Sequence, residues 1–278
     1  MSAAKITTSV IRQRKETGKK ITMLTAYDFS MAKLLDDSGI DMLLVGDSLG
    51  NVILGYDSTL PVTMEDMIHH TRAVSRGAQK AMVVADMPFM SYQVSVEDAL
   101  RNAGRLMKEA GAQAVKLEGG REVRAAVEAI VQAGIPVIGH LGLTPQAVHS
   151  LGGFKVQGKS REDAKKILED AKILEESGVF AIILECVPAL LAEKITHSLA
   201  IPIIGIGAGA QCDGQVLVTH DLLGIYSGFS PKFVKKFADL HSSVTEAILG
   251  YKTQVENGTF PGPEHSFPID SEILERLY

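Results

Sequence analysis

A carboxylate that closes a run of apolar residues is costly to bury unless a cation or a hydrogen-bond donor meets it, and this chain repeats that placement four times. Asp47 ends MLLVGD, Asp86 ends AMVVAD, Glu118 ends AVKLE and Glu185 ends AIILE. Each run is too apolar to face water on either side, as parallel strands covered by helices are. Four acids at the same end of four strands point to one shared site. Its simplest content is a divalent cation held by oxygen ligands, with one carboxylate left over as a base.

Strand alternation orients the neighbours. Lys116 and Glu118 are two apart and share one side of their strand, while Val115 and Leu117 share the other. The apolar pair suits a helix layer, leaving Lys116 and Glu118 for the site. Glu185 shares its side with Ile183, so Cys186 goes with Leu184 and reads as packing rather than as a nucleophile. Asp47 and Asp86 are the best candidates for metal ligands. Neither has a Cys or His companion at metal-site spacing, and hard oxygen donors select Mg²⁺ or Mn²⁺ over Zn²⁺. Asp47-Ser48 could instead cap a following helix. His140, closing a further strand, could donate a hydrogen bond to a substrate or serve structure alone. GIGAG at 205–209 could cradle a phosphate or permit close packing, and His69-His70 reads as solvated helix surface.

A hard divalent ion, a lysine and a spare glutamate suit the chemistry of a 2-oxo acid. The acid chelates the ion through its keto oxygen and carboxylate, and the ion stabilises negative charge on the keto oxygen as a proton leaves the adjacent carbon. Lys116 can offset the substrate carboxylate, and Glu185 can take the proton. The carbanion so formed attacks a carbon electrophile.

Elements must position these groups. About eight strands are expected, at 21–27, 42–47, 81–86, 114–118, 136–140, 180–185, 201–206 and 216–220. Helical periodicity follows most of them, at 63–76, 95–110, 121–133, 161–177 and 188–198. Ser95 with Asp98 and Ser160 with Asp163 have capping-box spacing. Gly39, Gly77, Gly111, Gly134 and Gly178 fall where a helix would stop in the left-handed conformation. Repeated strand–helix alternation predicts a single (β/α)₈ TIM barrel, whose chemistry sits at the C-terminal ends of its strands. An open doubly wound sheet would need a Gly-rich phosphate turn after its first strand, and TAYDFSMAK offers none. One domain is expected over 1–278, with a basic N-terminal extension (about 1–20), a C-terminal helical extension near 231–249 and a loose tail (about 256–278) ending in the amphipathic SEILERLY.

Composition sets the class. With 278 residues, 46% hydrophobic and 22% charged, the chain can bury a large core. A net charge of −5 argues against general affinity for nucleic acid or anionic membrane. No apolar run approaches the ~20 residues needed to span a bilayer, and the N-terminus lacks the apolar core of a signal peptide. Two cysteines, Cys186 and Cys212, make no disulfide framework, so a cytoplasmic location is expected.

At these residues the chain resembles the 3-methyl-2-oxobutanoate (ketopantoate) hydroxymethyltransferase family of the phosphoenolpyruvate/pyruvate barrel superfamily. The likeness rests on LTAYD, VGDSLGNVILGYDSTLPVT, ADMPFMSY, AVKLEGG, GHLGLTPQ, ILECVP, IGIGAG and GQVLVTHDLLG, in that order. It implies one Mg²⁺ per subunit on Asp47, Asp86 and Glu118. It also implies oxo-acid contacts from Asp47, Ser48, Asp86 and Lys116, with Glu185 as proton acceptor. The implied activity transfers the one-carbon unit of 5,10-methylenetetrahydrofolate to 3-methyl-2-oxobutanoate, giving 2-dehydropantoate for pantothenate biosynthesis. The implied assembly is a homodecamer. Lyases and mutases of the superfamily would share the acids, but the Cys-Gly-His-type motif of the lyases is absent. A Schiff-base aldolase would use Lys116 as nucleophile and no metal. A non-catalytic binding barrel would have little use for Glu185.

Overall fold

Branched and long apolar residues fill eight short segments, and all eight form parallel strands: β1 (Ile21–Thr25), β2 (Met42–Val45), β3 (Met82–Asp86), β4 (Ala114–Glu118), β5 (Val137–Gly142), β6 (Ala181–Glu185), β7 (Ile203–Ile206) and β8 (Gly214–Leu217). In the structure, a computed structural model describing residues 5–150, 152–226 and 231–277, they close in sequence order, with β8 pairing back onto β1. The expected (β/α)₈ barrel is therefore present. Helices follow the strands: α2 (Phe29–Asp37), α3 (Leu49–Val52), α4 (Met64–Gly77), α5 (Val96–Lys108), α6 (Arg124–Gln132), α7 (Arg161–Glu176), α8 (Ala189–Ser198) and α9 (Thr219–Leu222). They are preceded by α1 (Thr8–Thr17) and followed by α10 (Leu240–Glu256) and α11 (Ser271–Glu275). Seven residues without a helix join β7 to β8, Gly207–Asp213.

Alternation divides the apolar residues into two clusters. Val83, Val115, Leu117, Ile182 and Leu184 join the helix layer. Met23, Leu44, Val84, Ala114, Ile138, Ile183 and Ile204 fill the barrel interior. A barrel this size has no pore. Moving up each strand, the inward positions turn polar: Thr25, Asp86, Lys116, Glu118 and His140 are all buried. Thr219 fastens the seam at that end, its N–H and hydroxyl donating to Thr25 Oγ1 (3.0 Å) and Thr25 O (2.5 Å).

The opposite end is stoppered. Of the basic N-terminal extension, residues 1–4 lie outside the described residues. Residues 8–17 form α1, capped by Thr7 and ended by Gly18 at φ 69°. Its Ile11 is fully buried against the interior cluster. Arg14 pairs with Asp41, and Lys15 Nζ reaches Asp213 Oδ2 and Thr196 O, both at 2.8 Å. A segment that reads as a basic arm is thus part of the barrel.

Several expectations need correction. Gly39, Gly111, Gly134 and Gly178 do have positive φ, but Gly77 does not. It ends α4, and a Cβ there would meet Phe29 O at 2.6 Å and Ala32 Cβ at 2.9 Å, so close packing of α2 on α4 demands the glycine. His70 is half-buried, its Nδ1 2.7 Å from Tyr27 O; only His69 is exposed. The helix expected over 231–249 instead runs from Leu240 to Glu256. The backbone N–H groups of Phe237, Leu240 and His241 donate to Leu222 O, Leu223 O and Gly224 O, which prevents helical bonding there. Asp239 caps the new start through Ser242 N.

Residues up to Thr219, together with Pro231–Val234, form one compact unit; His220 onward, apart from that segment, forms a second. No residue of α10 is buried, and Val244, Ile248, Leu249 and Tyr251 are more than half exposed. The loose tail contains α11 within SEILERLY.

Candidate active site

Register brings the acids together. Asp86 stands beside Lys116, and Glu118 beside His140. Lys116 Nζ lies 2.9 Å from Asp86 Oδ1 and 3.2 Å from His140 Nδ1. His140 spans the gap to β6, with Nδ1 3.6 Å from Glu118 Oε1 and Nε2 3.3 Å from Glu185 Oε2. Asp47, two residues beyond β2, donates its N–H to Asp86 Oδ2 at 3.1 Å. The capping alternative for Asp47-Ser48 fails: no side chain bonds the start of α3, and Ser48 Oγ lies 2.8 Å from Tyr27 OH. All the site residues read from the sequence therefore share one mouth of the barrel.

Two glycines make the approaches possible. A Cβ on Gly46 would meet Ser48 Oγ at 2.8 Å and Asp86 Oδ2 at 3.4 Å. Gly142, at φ 94°, lets the Glu185 carbonyl come so near that a Cβ would lie 2.2 Å from it.

The electrostatics follow from crowding in a dry site. Burial raises the Asp47 carboxyl well above its ordinary range, and the Asp86 and Glu118 charges raise it further. Burial also raises Asp86, although Lys116 opposes it. Glu118 goes the other way: burial would raise it, but His140, Lys116 and the Gln146 N–H prevail and lower it. Burial favours a neutral Lys116, yet the three carboxylates outweigh that and raise it. His140 is pushed down by burial and Lys116, but Glu118 and Glu185 lift it to about 9.

The three acids expected to hold a cation do not form a metal cage. Among the described residues, no three Asp, Glu, His or Cys side chains are arranged to hold a metal ion. The Lys116 ammonium stands among Asp47, Asp86 and Glu118, and their carboxylates gather around it. Asp86 Oδ1 is met by Lys116, whereas buried Glu118 Oε1 has no hydrogen bond. Three buried carboxylates against one ammonium, with one such oxygen, are a donor set that fits a hard divalent ion.

The sequence reading missed Gln146 and Tyr92, buried polar residues that hold the acids from behind. The signal was weak, because each is a neutral residue in a segment that joins a strand to the next long helix. Cys186 follows β6 at φ 49°, and burial raises its thiol to about 11, which suits packing rather than nucleophilic attack. In GIGAG, a Cβ on Gly207 would meet the Phe233 ring at 2.9 Å and one on Gly209 would meet Ala189 Cβ at 2.6 Å, so packing already uses that approach.

A closed parallel barrel with acids and a lysine at the C-terminal ends of its strands defines the (β/α)₈ enzyme class. The same architecture occurs in phosphonopyruvate hydrolase, at a TM-score of 0.61 with 14% identity over 96% of this chain and 93% of that one. It occurs also in 2,3-dimethylmalate lyase, at a TM-score of 0.57 with 15% identity over 97% and 94%. These likenesses concern the fold alone. Residues 5–263 match the profile described as ketopantoate hydroxymethyltransferase, and the chain belongs to that family. Two curated relatives carry the name 3-methyl-2-oxobutanoate hydroxymethyltransferase. That of Syntrophus aciditrophicus is 67% identical over 95% of this chain and 97% of its own length. That of Syntrophomonas wolfei is 59% identical over 99% and 100%.

Proposed function

We propose that this chain transfers the one-carbon unit of 5,10-methylenetetrahydrofolate to 3-methyl-2-oxobutanoate, giving 2-dehydropantoate, with Mg²⁺ held by Asp47, Asp86 and Glu118. Three buried carboxylates crowded at one mouth against a single lysine, with Glu118 Oε1 left without a hydrogen bond, carry this reading of the site. When bound, Mg²⁺ supplies Lewis-acid polarisation of the substrate's keto oxygen. Lys116 offsets the substrate carboxylate, and Ser48 with the two aspartates orients the oxo acid. Glu185, 16% exposed at its side chain and so reachable from the mouth, takes the proton from C3. His140 Nε2 lies 3.3 Å from Glu185 Oε2 and orients that carboxylate. The C3 carbanion takes up the one-carbon unit; tetrahydrofolate leaves, and water supplies the hydroxyl.

The lyase and aldolase alternatives fit less well, because the high-identity relatives share a single name over nearly their whole length. The test is turnover of oxo acid with methylenetetrahydrofolate, with added Mg²⁺ and again with EDTA. Product formation that EDTA abolishes and Mg²⁺ restores is expected. Turnover indifferent to EDTA would remove the metal from this reading.

A homodecamer in the cytoplasm is the expected setting. The apolar residues left exposed on α10 support association, and none of the described helices is long and apolar enough to cross a membrane. Light scattering should give a mass near ten times 29.8 kDa.

A further inference from the structure

We propose that Gln146 is the positioning residue that fixes two of the metal-holding acids, Asp47 and Glu118, in a single orientation; this rests on the cation reading above. Its amide is used on both sides. Nε2 donates to Asp47 Oδ2 at 2.9 Å and to Met87 O at 3.0 Å. Oε1 accepts from Tyr92 OH at 2.7 Å and, more distantly, from Gln93 Nε2 at 3.4 Å. Its backbone N–H donates to Glu118 Oε2 at 2.9 Å. Residue 146 thus touches one acid that follows β2 and another that ends β4, the first with its side chain and the second with its main chain.

The amide has only one workable orientation. Turned over, Oε1 would face the Asp47 carboxylate and the Met87 carbonyl, and the NH₂ would face a hydroxyl already paired. Tyr92 locks the choice from behind: its hydroxyl donates to Gln146 Oε1 and accepts the Glu118 N–H at 3.2 Å. Each bond uses only one oxygen of its carboxylate. On Glu118 the second oxygen, Oε1, is buried and makes no hydrogen bond, with the His140 ring 3.6 Å away beside it. A neutral residue that holds a ligand carboxylate by one oxygen orients the other toward the ion without cancelling its charge. Glutamate could not do this, since it would place an acceptor and a charge against Asp47.

The test is titration of the purified enzyme with Mn²⁺ alone, read by electron paramagnetic resonance, for the parent, Gln146→Glu, Gln146→Ala and Tyr92→Phe. Loss of an outer partner of a metal ligand weakens binding by about 10–100-fold. That loss is expected for both Gln146 variants, with a smaller one for Tyr92→Phe, which leaves the amide in place but unlocked. Thermal melts run alongside, and Gln146→Glu, nearly the parent's shape, carries the comparison should Gln146→Ala fold poorly. A merely structural role would lower the melting temperature and leave Mn²⁺ affinity unchanged in the folded fraction. Affinity within twofold of the parent in folded Gln146→Glu overturns the proposal alone. A parent that binds no Mn²⁺ overturns the cation reading, and this proposal with it.

Discussion

At the scale of single residues, the proposed reaction gives Glu185 and Lys116 separable tasks. In it, forming the carbanion needs only the oxo acid, the metal, Lys116 and Glu185, because folate supplies the electrophile afterwards. Enzyme, Mg²⁺ and oxo acid in D₂O without folate should therefore wash deuterium into C3. Glu185→Gln keeps the shape and cannot accept a proton, so exchange should slow by roughly 10²–10⁴-fold with oxo-acid binding nearly unchanged. Exchange at the parent rate in that variant would move the base elsewhere. Lys116→Ala should raise the oxo-acid KM strongly. Lys116→Arg should recover little, because a planar guanidinium cannot replace a point charge held 2.9 Å from Asp86 and 3.2 Å from His140. A lysine adduct trapped by borohydride would instead favour the aldolase chemistry. These side chains were legible in the sequence because an acid or lysine interrupting an apolar strand has no cheap alternative explanation. Gln146 was not, since a neutral amide in a segment joining a strand to a helix costs nothing until its neighbours are known.

At the scale of elements, the turn from α4 into β3 depends on one buried carboxylate. Asp36, near the end of α2, accepts the N–H groups of Lys80 (2.8 Å) and Ala81 (2.7 Å). Burial would raise its pKa, but the donors from Ala81, Lys80 and Gln79 prevail and lower it below 3.8. The folded carboxyl therefore titrates below the unfolded one. Its contribution is complete above about pH 4 and fades as pH falls through the folded value. Urea unfolding should show Asp36→Asn less stable than the parent by about 1–3 kcal/mol at pH 7. That gap should narrow below pH 4; a gap unchanged at pH 3 would show that the charge plays no part. Strand positions were readable because apolar runs mark them. The start of α10 was not, because bonds from Phe237, Leu240 and His241 to residues distant in sequence decide it.

At the scale of the whole barrel, α1 is structural, although its composition is that of a solvated arm. Its one buried side chain, Ile11, carries that role, and two adjacent apolar residues, Val10 and Ile11, among polar and charged ones leave little pattern to read. Ile11→Asp would bury an unpaired charge against the interior cluster, so a loss of about 3 kcal/mol or more is expected in chemical denaturation. The catalytic mouth lies at the other end, so oxo-acid KM in the folded fraction should stay near the parent's. An equal unfolding midpoint would show that α1 does not seal the barrel.

The seal has a kinetic consequence. With one end stoppered by α1 and the interior packed, protons can reach Glu185 only through the mouth that the substrate itself must enter. An oxo acid bound there as proposed would stand between Glu185 and bulk solvent. The proton lifted from C3 then tends to return to the same carbon before it can be traded for deuterium. Isotope wash-in would lag behind the true frequency of bond breaking, and a methylene acceptor would end the return altogether, because the captured carbon bears no hydrogen.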